Sequence, residues 1–247
     1  MQVSKYNASG NDFVIFHTFL SKDRSELARK ICSRTNGVGA DGLIVLLPYE
    51  KGVKWEFYNS DGSYAAMCGN GSRAAARYAY LNGLVSSNEF VLLTGSGEVM
   101  ASVKNECVEV VLTSPKILSE PLNEGGKTWY FYDTGVPHLV NFTQNLEEFD
   151  VKECRALRQK YNANVNLAKF EGGVLKVRTY ERGVEDETLA CGTGMAACFY
   201  GATLNLNAPQ SLKVYPKSGE ELGLRLESGK ILFSGAVKHC FDTSIEI

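Results

Sequence analysis

Two stretches of this chain, "MCGNGSRAAARYAYLNG" (Met67 to Gly83) and "ACGTGMAACFYGATLN" (Ala190 to Asn205), each set Cys-Gly-x-Gly ahead of an alanine-rich run. Their cysteines, Cys68 and Cys191, stand 123 positions apart in a chain of 247 residues. Both runs carry few charges and show small or apolar residues on nearly every side, the pattern of a helix buried all round rather than along one stripe. A chain that must bury two such helices needs two coverings. Asn82–Gly83 supplies a C-terminal stop for the first helix.

The order of elements around these helices occurs twice. "SGNDFVIF" (Ser9 to Phe16) parallels "TGVPHLVNF" (Thr134 to Phe142), and "NGVGADGLIVL" (Asn36 to Leu46) parallels "NANVNLAKF" (Asn162 to Phe170). "EKGVKWEFYN" (Glu50 to Asn59) parallels "EGGVLKVRTY" (Glu171 to Tyr180), and each leads shortly to Cys-Gly-x-Gly. Between the first two blocks of each half lies a charged amphipathic segment, Asp23 to Arg34 and Leu146 to Tyr161, read as helices. Strand patterns fill most of the rest: 12–16, 43–47, 53–59, 90–94, 107–113, 128–133, 174–181, 212–216 and 231–235. Two copies make a duplication, not a solenoid, which needs at least three short repeats. The expected fold is therefore α+β: two pseudo-symmetric α/β lobes, each wrapping strands around a buried central helix. Pro115 and Pro121 mark the crossing, and the last strand returns to the first. The expected domains are 1–116 plus 236–247, and 117–235.

A formal net charge of −2 and the lack of any Lys/Arg block argue against nucleic acid as a partner. No apolar run approaches the ~20 residues of a membrane helix, and no signal-peptide pattern opens the chain, so a cytoplasmic protein is expected. Seven cysteines, an odd number without one Cys-x-x-Cys, support neither a zinc site nor a disulfide scaffold. No metal is expected.

A helix N-terminus leaves four N–H groups unpaired and carries about half a positive charge. A cysteine there has its thiolate favoured, and the same N–H groups bind carboxylates where glycines permit close approach. Two such cysteines, one per half, suit proton transfer on opposite faces of one carbon. Inversion at an amino-acid α-carbon is the natural chemistry, because its carbanion needs fixed dipoles aimed at the carboxylate. No lysine sits in a pyridoxal-phosphate context, so no cofactor is expected. Cys32, Cys107, Cys154, Cys198 and Cys240 lack the glycine context and read as structural.

The chain resembles the diaminopimelate epimerases over almost its full length. The resemblance rests on "ASGNDFV", "GVGADG", "NSDGS", "MCGNGSR", "TGVPHLV", "NVNLAKF", "YERGVEDETLACGTG" and "FSGAV". It implies two lobes of curved, mostly antiparallel sheet around their central helices, with the site in the cleft. It also implies a pyridoxal-independent, two-base interconversion of LL- and meso-2,6-diaminopimelate, serving lysine and peptidoglycan-precursor synthesis, with that small molecule as the partner; the sequence leaves open whether the enzyme is a homodimer. By motif, Cys68 and Cys191 are the acid/base pair, and Gly69–Asn70 with Gly192–Thr193 cradle the reacting carboxylate. Asn11, Asn59, Asn164, Glu181 and Arg182 bind the substrate's charged groups, chiefly at its far end. Arg182 would grip a distal carboxylate with two hydrogen bonds. His138 would tune the thiols. Two departures are Gly42 and Val136, where many relatives carry glutamine and asparagine. Three rival readings are a proline- or hydroxyproline-type racemase, a cysteine hydrolase using His138, and a non-catalytic anion-binding protein. The racemase leaves Glu181–Arg182 unexplained, and the hydrolase leaves one cysteine idle.

Overall fold

The computed structural model describes residues 1–246, which divide into two compact units: Met1–Val110 with the chain from Ser234 onward, and Val111–Phe233. The first unit runs β1 (Gln2–Ala8), β2 (Asn11–His17), α1 (Ser25–Cys32), β3 (Gly42–Tyr49), β4 (Gly52–Asn59), α2 (Gly69–Leu81), β5 (Glu89–Thr94), β6 (Gly97–Lys104) and β7 (Cys107–Val111). The strand pairs β1–β2, β3–β4, β5–β6 and β6–β7 are antiparallel, while β2–β3 and β4–β5 are parallel across their helical crossovers. The last strand, Lys238–Ser244, returns antiparallel to β1, with Ser4 opposite Asp242.

The second unit repeats this order with short additions. After β8 (Lys116–Ile117) and β9 (Leu122–Glu124) come β10 (Lys127–Asp133), β11 (Pro137–Phe142), α3 (Val151–Tyr161), β12 (Asn164–Glu171) and β13 (Val174–Glu181). Then follow β14 (Asp186–Thr188), α4 (Gly192–Asn205), β15 (Ser211–Tyr215), β16 (Leu222–Glu227) and β17 (Lys230–Ala236), whose last residues, from Ser234, belong to the first unit. The same two joints are parallel, β11–β12 and β13–β15, and β10–β11, β12–β13 and β15–β16 are antiparallel. Each unit is thus a mostly antiparallel sheet around a central helix.

The central helices are built for close approach. In α2, Ala74, Ala75, Ala76 and Ala79 are completely buried, as are Ala196, Ala197, Cys198 and Phe199 in α4. Both faces of β3 are covered, which is why it reads as a continuous apolar run. Leu43 and Val45 pack with Ala28 and Ile31 of α1, while Ile44 lies against Gly71 of α2. In the second unit Cys154 and Leu157 of α3 pack on Trp129, Leu139 and Val165. The stop at Asn82–Gly83 is a Schellman closure: Gly83 takes φ 66°, its N–H reaches Tyr80 O, and Leu84 N reaches Ala79 O.

Both amphipathic helices are shorter than expected. Asp23 accepts the Ser25 N–H and so lies outside α1, which ends at Cys32. The segment Leu146–Tyr161 is broken: a short 3-10 turn (Leu146–Glu148) precedes α3, and Asp150 caps α3 by accepting the Lys152 N–H at 2.7 Å. Strands β1, β6 and β16 lie outside the expected set: β1 buries the polar Ser4 and Lys5, which hides its alternation, whereas β6 and β16 do alternate, burying Val99, Ala101 and Val103 and Leu222 and Leu224.

Candidate active site

In the first unit Cys68 is the N-cap of α2. Its backbone is extended (φ −154°, ψ 117°), and its Sγ accepts the Gly71 N–H at 3.3 Å. The sulfur therefore holds the place that a Ser or Asp oxygen takes at an ordinary N-cap, at the positive end of the helix. Two residues on, Asn70 donates through Nδ2 to Asn11 Oδ1 (2.8 Å) and accepts at Oδ1 from Arg73 Nη2 (2.9 Å). Arg73, wholly buried, also donates to Ser9 Oγ (2.6 Å) and Ala236 O (3.2 Å). Asn11 in turn donates to Asp41 Oδ2 at 3.0 Å. Arg34 grips both oxygens of Asp12 at 2.9 Å and reaches Asp41, while Lys5 lies 2.8 Å from Asp12. Burial opposes the Asp12 charge, but hydrogen bonds from Arg34 and Lys5 outweigh it and hold the carboxyl far below its usual range.

Asn59 ends β4 in an exposed turn, donating to Ser63 Oγ at 3.0 Å. Gly42 lies between Phe13 and Asn59 in the strand register, and a Cβ there would meet the Phe57 ring at 2.5 Å and Tyr58 O at 2.9 Å. The space a side chain would need at Gly42 is filled by Phe57.

In the second unit Cys191 is the extended N-cap of α4 (φ −119°, ψ 109°), and its Sγ lies 3.5 Å from Thr193 Oγ1. Thr193 Oγ1 is 2.9 Å from His138 Nε2, and its carbonyl accepts from Thr134 Oγ1 at 2.8 Å. His138 is fully buried; burial, then the Arg182 charge, push it down to about 3, so the ring is neutral at ordinary pH. Asn164 donates to Pro137 O (3.2 Å) and accepts the Arg182 N–H (2.8 Å). Arg182 Nη1 donates to Asn162 O at 2.9 Å. With Val165 opposite Tyr180, Asn164 and Glu181 are neighbouring strand termini. Burial raises the Glu181 carboxyl above its ordinary range, and hydrogen bonds with Thr188 and Cys191 partly offset this. Each unit thus presents a cysteine at a helix N-cap beside a carboxamide- or hydroxyl-bearing residue.

A family model described as "Diaminopimelate epimerase" matches residues 3–118 and 130–229. The chain belongs to the diaminopimelate epimerase family. It is 56% identical over 250 residues to a diaminopimelate epimerase of a Nitratiruptor species, covering 98% of each chain. To that of Campylobacter jejuni it is 54% identical over 246 residues, covering 99% of this chain and 98% of the relative. Among solved structures, a PhzF-family phenazine biosynthesis protein from Bacillus anthracis shares the fold at TM-score 0.75 and 14% identity, covering 100% and 99% of the two chains.

Within this epimerase-family chain, the residues expected at the site form one cluster in each unit. Cys68, Gly69, Asn70 and Asn11 come together in the first, with Asn59 apart in its turn. In the second, Cys191, Gly192, Thr193, His138, Asn164, Glu181 and Arg182 form a single connected group. Sequence reasoning passed over Arg73, Asn166 and Thr179. Asn166 shares a strand face with Asn164 two positions away, and two buried amides in one strand were the available signal. Arg73, one of two charges in α2, was another. Cys198 is raised well above the ordinary thiol range by burial, and burial pushes Cys32 and Cys154 up to about 12. Cys107 and Cys240 are exposed and fill no core, contrary to their reading as structural.

Proposed function

We propose that this chain is a cofactor-independent isomerase that interconverts LL- and meso-2,6-diaminopimelate, with Cys68 and Cys191 as its two bases. One sulfur, as thiolate, takes the α-proton: the C–H bond breaks and an S–H bond forms. The other, as thiol, delivers its proton to the opposite face of the same carbon, and its S–H electron pair becomes the new thiolate. The two cysteines exchange states at each turnover, so the reverse reaction starts from the product form. The observation that carries this reading is that each cysteine caps the same central helix of its unit, in a chain of this family.

Backbone N–H groups at Gly69–Asn70 and Gly192–Thr193 would take the reacting carboxylate, and Arg182 the distal one, with Asn11, Asn59 and Asn164 completing the polar lining. Glu181 would act beside Cys191, accepting from the thiol. The reading places the enzyme in the cytoplasm as a homodimer, which sedimentation velocity tests; no helix among the described residues is long and apolar enough to cross a membrane. The deciding experiment incubates dialysed protein with LL-diaminopimelate in D2O. Meso product carrying α-deuterium, formed without pyridoxal phosphate or metal, is expected. Activity that appears only when either is added back would overturn the mechanism.

A further inference from the structure

The polar chain behind Cys191 continues beyond His138 to two more buried side chains, Asn166 and Thr179, which lie against Gly194 in the first turn of α4. Asn166 Nδ2 lies 2.9 Å from Leu139 O and 3.1 Å from His138 Nδ1, and its Oδ1 accepts from Thr179 Oγ1 at 2.9 Å. A carbonyl can only accept, so the end of the amide facing Leu139 must be the NH2. The flipped amide would set two acceptor oxygens against each other at that distance. Asn166 is wholly buried and Thr179 nearly so, leaving water no part in the choice.

The consequence passes along the chain. His138 Nδ1 receives an N–H from Asn166 and must offer a lone pair, which puts the proton of the neutral ring on Nε2. That N–H then donates to Thr193 Oγ1 at 2.9 Å. The nearby Asn164 Nδ2, 3.5 Å from Nε2, is turned to Pro137 O at 3.2 Å. With its oxygen occupied by the imidazole, the Thr193 hydroxyl has its own proton to give, and Cys191 Sγ lies 3.5 Å away. Gly194 makes the seat possible: a Cβ there would stand 2.5 Å from Asn166 Oδ1 and 3.0 Å from Thr179 Oγ1.

We infer that Asn166, anchored by Thr179, is a positioning residue that locks His138 in the Nε2–H tautomer and so aims the Thr193 hydroxyl at the Cys191 sulfur. The inference rests on the proposed role of Cys191 and extends it. A hydroxyl aimed this way favours the thiolate. Because His138 is neutral and buried, the donation does not switch off across the pH range in which a thiol and thiolate exchange. The charged and titratable groups that face this chain include Arg182, Glu181, Cys191 itself and, on the same helix, the buried Cys198. In the first unit the corresponding β2 position is Phe13, which has no proton to place.

The test begins with wild-type protein labelled with 15N at its three histidines. Long-range proton–nitrogen correlation should show one ring as the neutral Nε2–H tautomer, unchanged from pH 8 to pH 5. A ring assigned to His138 in the Nδ1–H or doubly protonated form at pH 7 overturns the inference. The second arm follows iodoacetamide labelling of Cys191 by peptide mass spectrometry across pH, with Cys68 as an internal control. Thr193→Val and Thr179→Val should each label Cys191 more slowly, by about tenfold at pH 7 for a shift of one pH unit, and Thr193→Ser should restore the rate. A Thr193→Val profile identical to wild type also overturns it. Turnover of diaminopimelate is assayed separately: an inactive wild-type protein that keeps the tautomer and labelling pattern refutes the proposed function and leaves this inference standing.

Discussion

Acidification should expose the buried His138 as a stability liability that one substitution removes. In the unfolded chain this ring titrates near 6.5, and in the folded protein only near 3, because burial and then Arg182 disfavour its charge. Between those values the unfolded state binds a proton that the native state refuses. Stability contributed by the depressed group is therefore present at neutral pH and is lost as pH falls below 6.5. From pH 7 to pH 5 the unfolded ring goes from about a quarter protonated to almost fully protonated, which integrates to about 2 kcal/mol. His138→Gln keeps one donor and one acceptor but cannot titrate. Urea unfolding of both proteins at several pH values between 5 and 8 gives the gap in their stabilities. That gap should narrow by about 2 kcal/mol from pH 7 to pH 5. The raised Glu181 contributes in the opposite sense, and it does so in both proteins; Asp12, held low, acts only in stronger acid. A gap that stays constant across this range would show that His138 takes up its proton in the native state, and would refute the reasoning.

Gly194→Ala should overpack the seat beneath α4, destabilising by about 1–3 kcal/mol in urea unfolding and lowering kcat through the displaced Asn166. Arg182→Lys loses the two-pronged grip proposed for the distal carboxylate, and kcat/KM for diaminopimelate should fall by about 1.5–3 kcal/mol in transition-state terms; an Arg182→Ala enzyme with unchanged kcat/KM removes that role. In the first unit, Arg24 and Glu56 form a buried pair at 2.5 Å, so Glu56→Gln leaves the guanidinium without its counter-charge. That change should cost about 3–5 kcal/mol, and an unfolding midpoint equal to wild type would contradict it.

What was legible in the sequence was what local chemistry and repetition decide. The paired Cys-Gly-x-Gly stretches announced two buried helices with cysteine caps, since small residues on all sides and a glycine at the helix mouth have few other uses. Asn82–Gly83 predicted its own helix stop because a left-handed closure is a property of those residues alone. The resemblance carried the site residues. Elements whose patterning depends on distant partners were not legible. Strand β1 buries Ser4 and Lys5 because Asp242 and Asp12 come to meet them from elsewhere in the chain. The helical period from Leu146 to Tyr161 runs through Asp150, but the capping bond to Lys152 restarts the helix there.

The duplication itself, the position of each cysteine at a helix start and the residue types around it were set in the sequence. What only the tertiary structure decided is how the two copies differ in use. The repeat already pairs Phe13 of one copy with His138 of the other, and the strand register keeps that pairing. In the second unit the orientation of one buried amide, Asn166, determines which imidazole nitrogen carries the proton. Leu139 O makes that choice, because a backbone carbonyl offers only lone pairs and its neighbour must supply the hydrogen. Composition and spacing cannot encode such an orientation, which exists only once the strands are in register and water has been excluded.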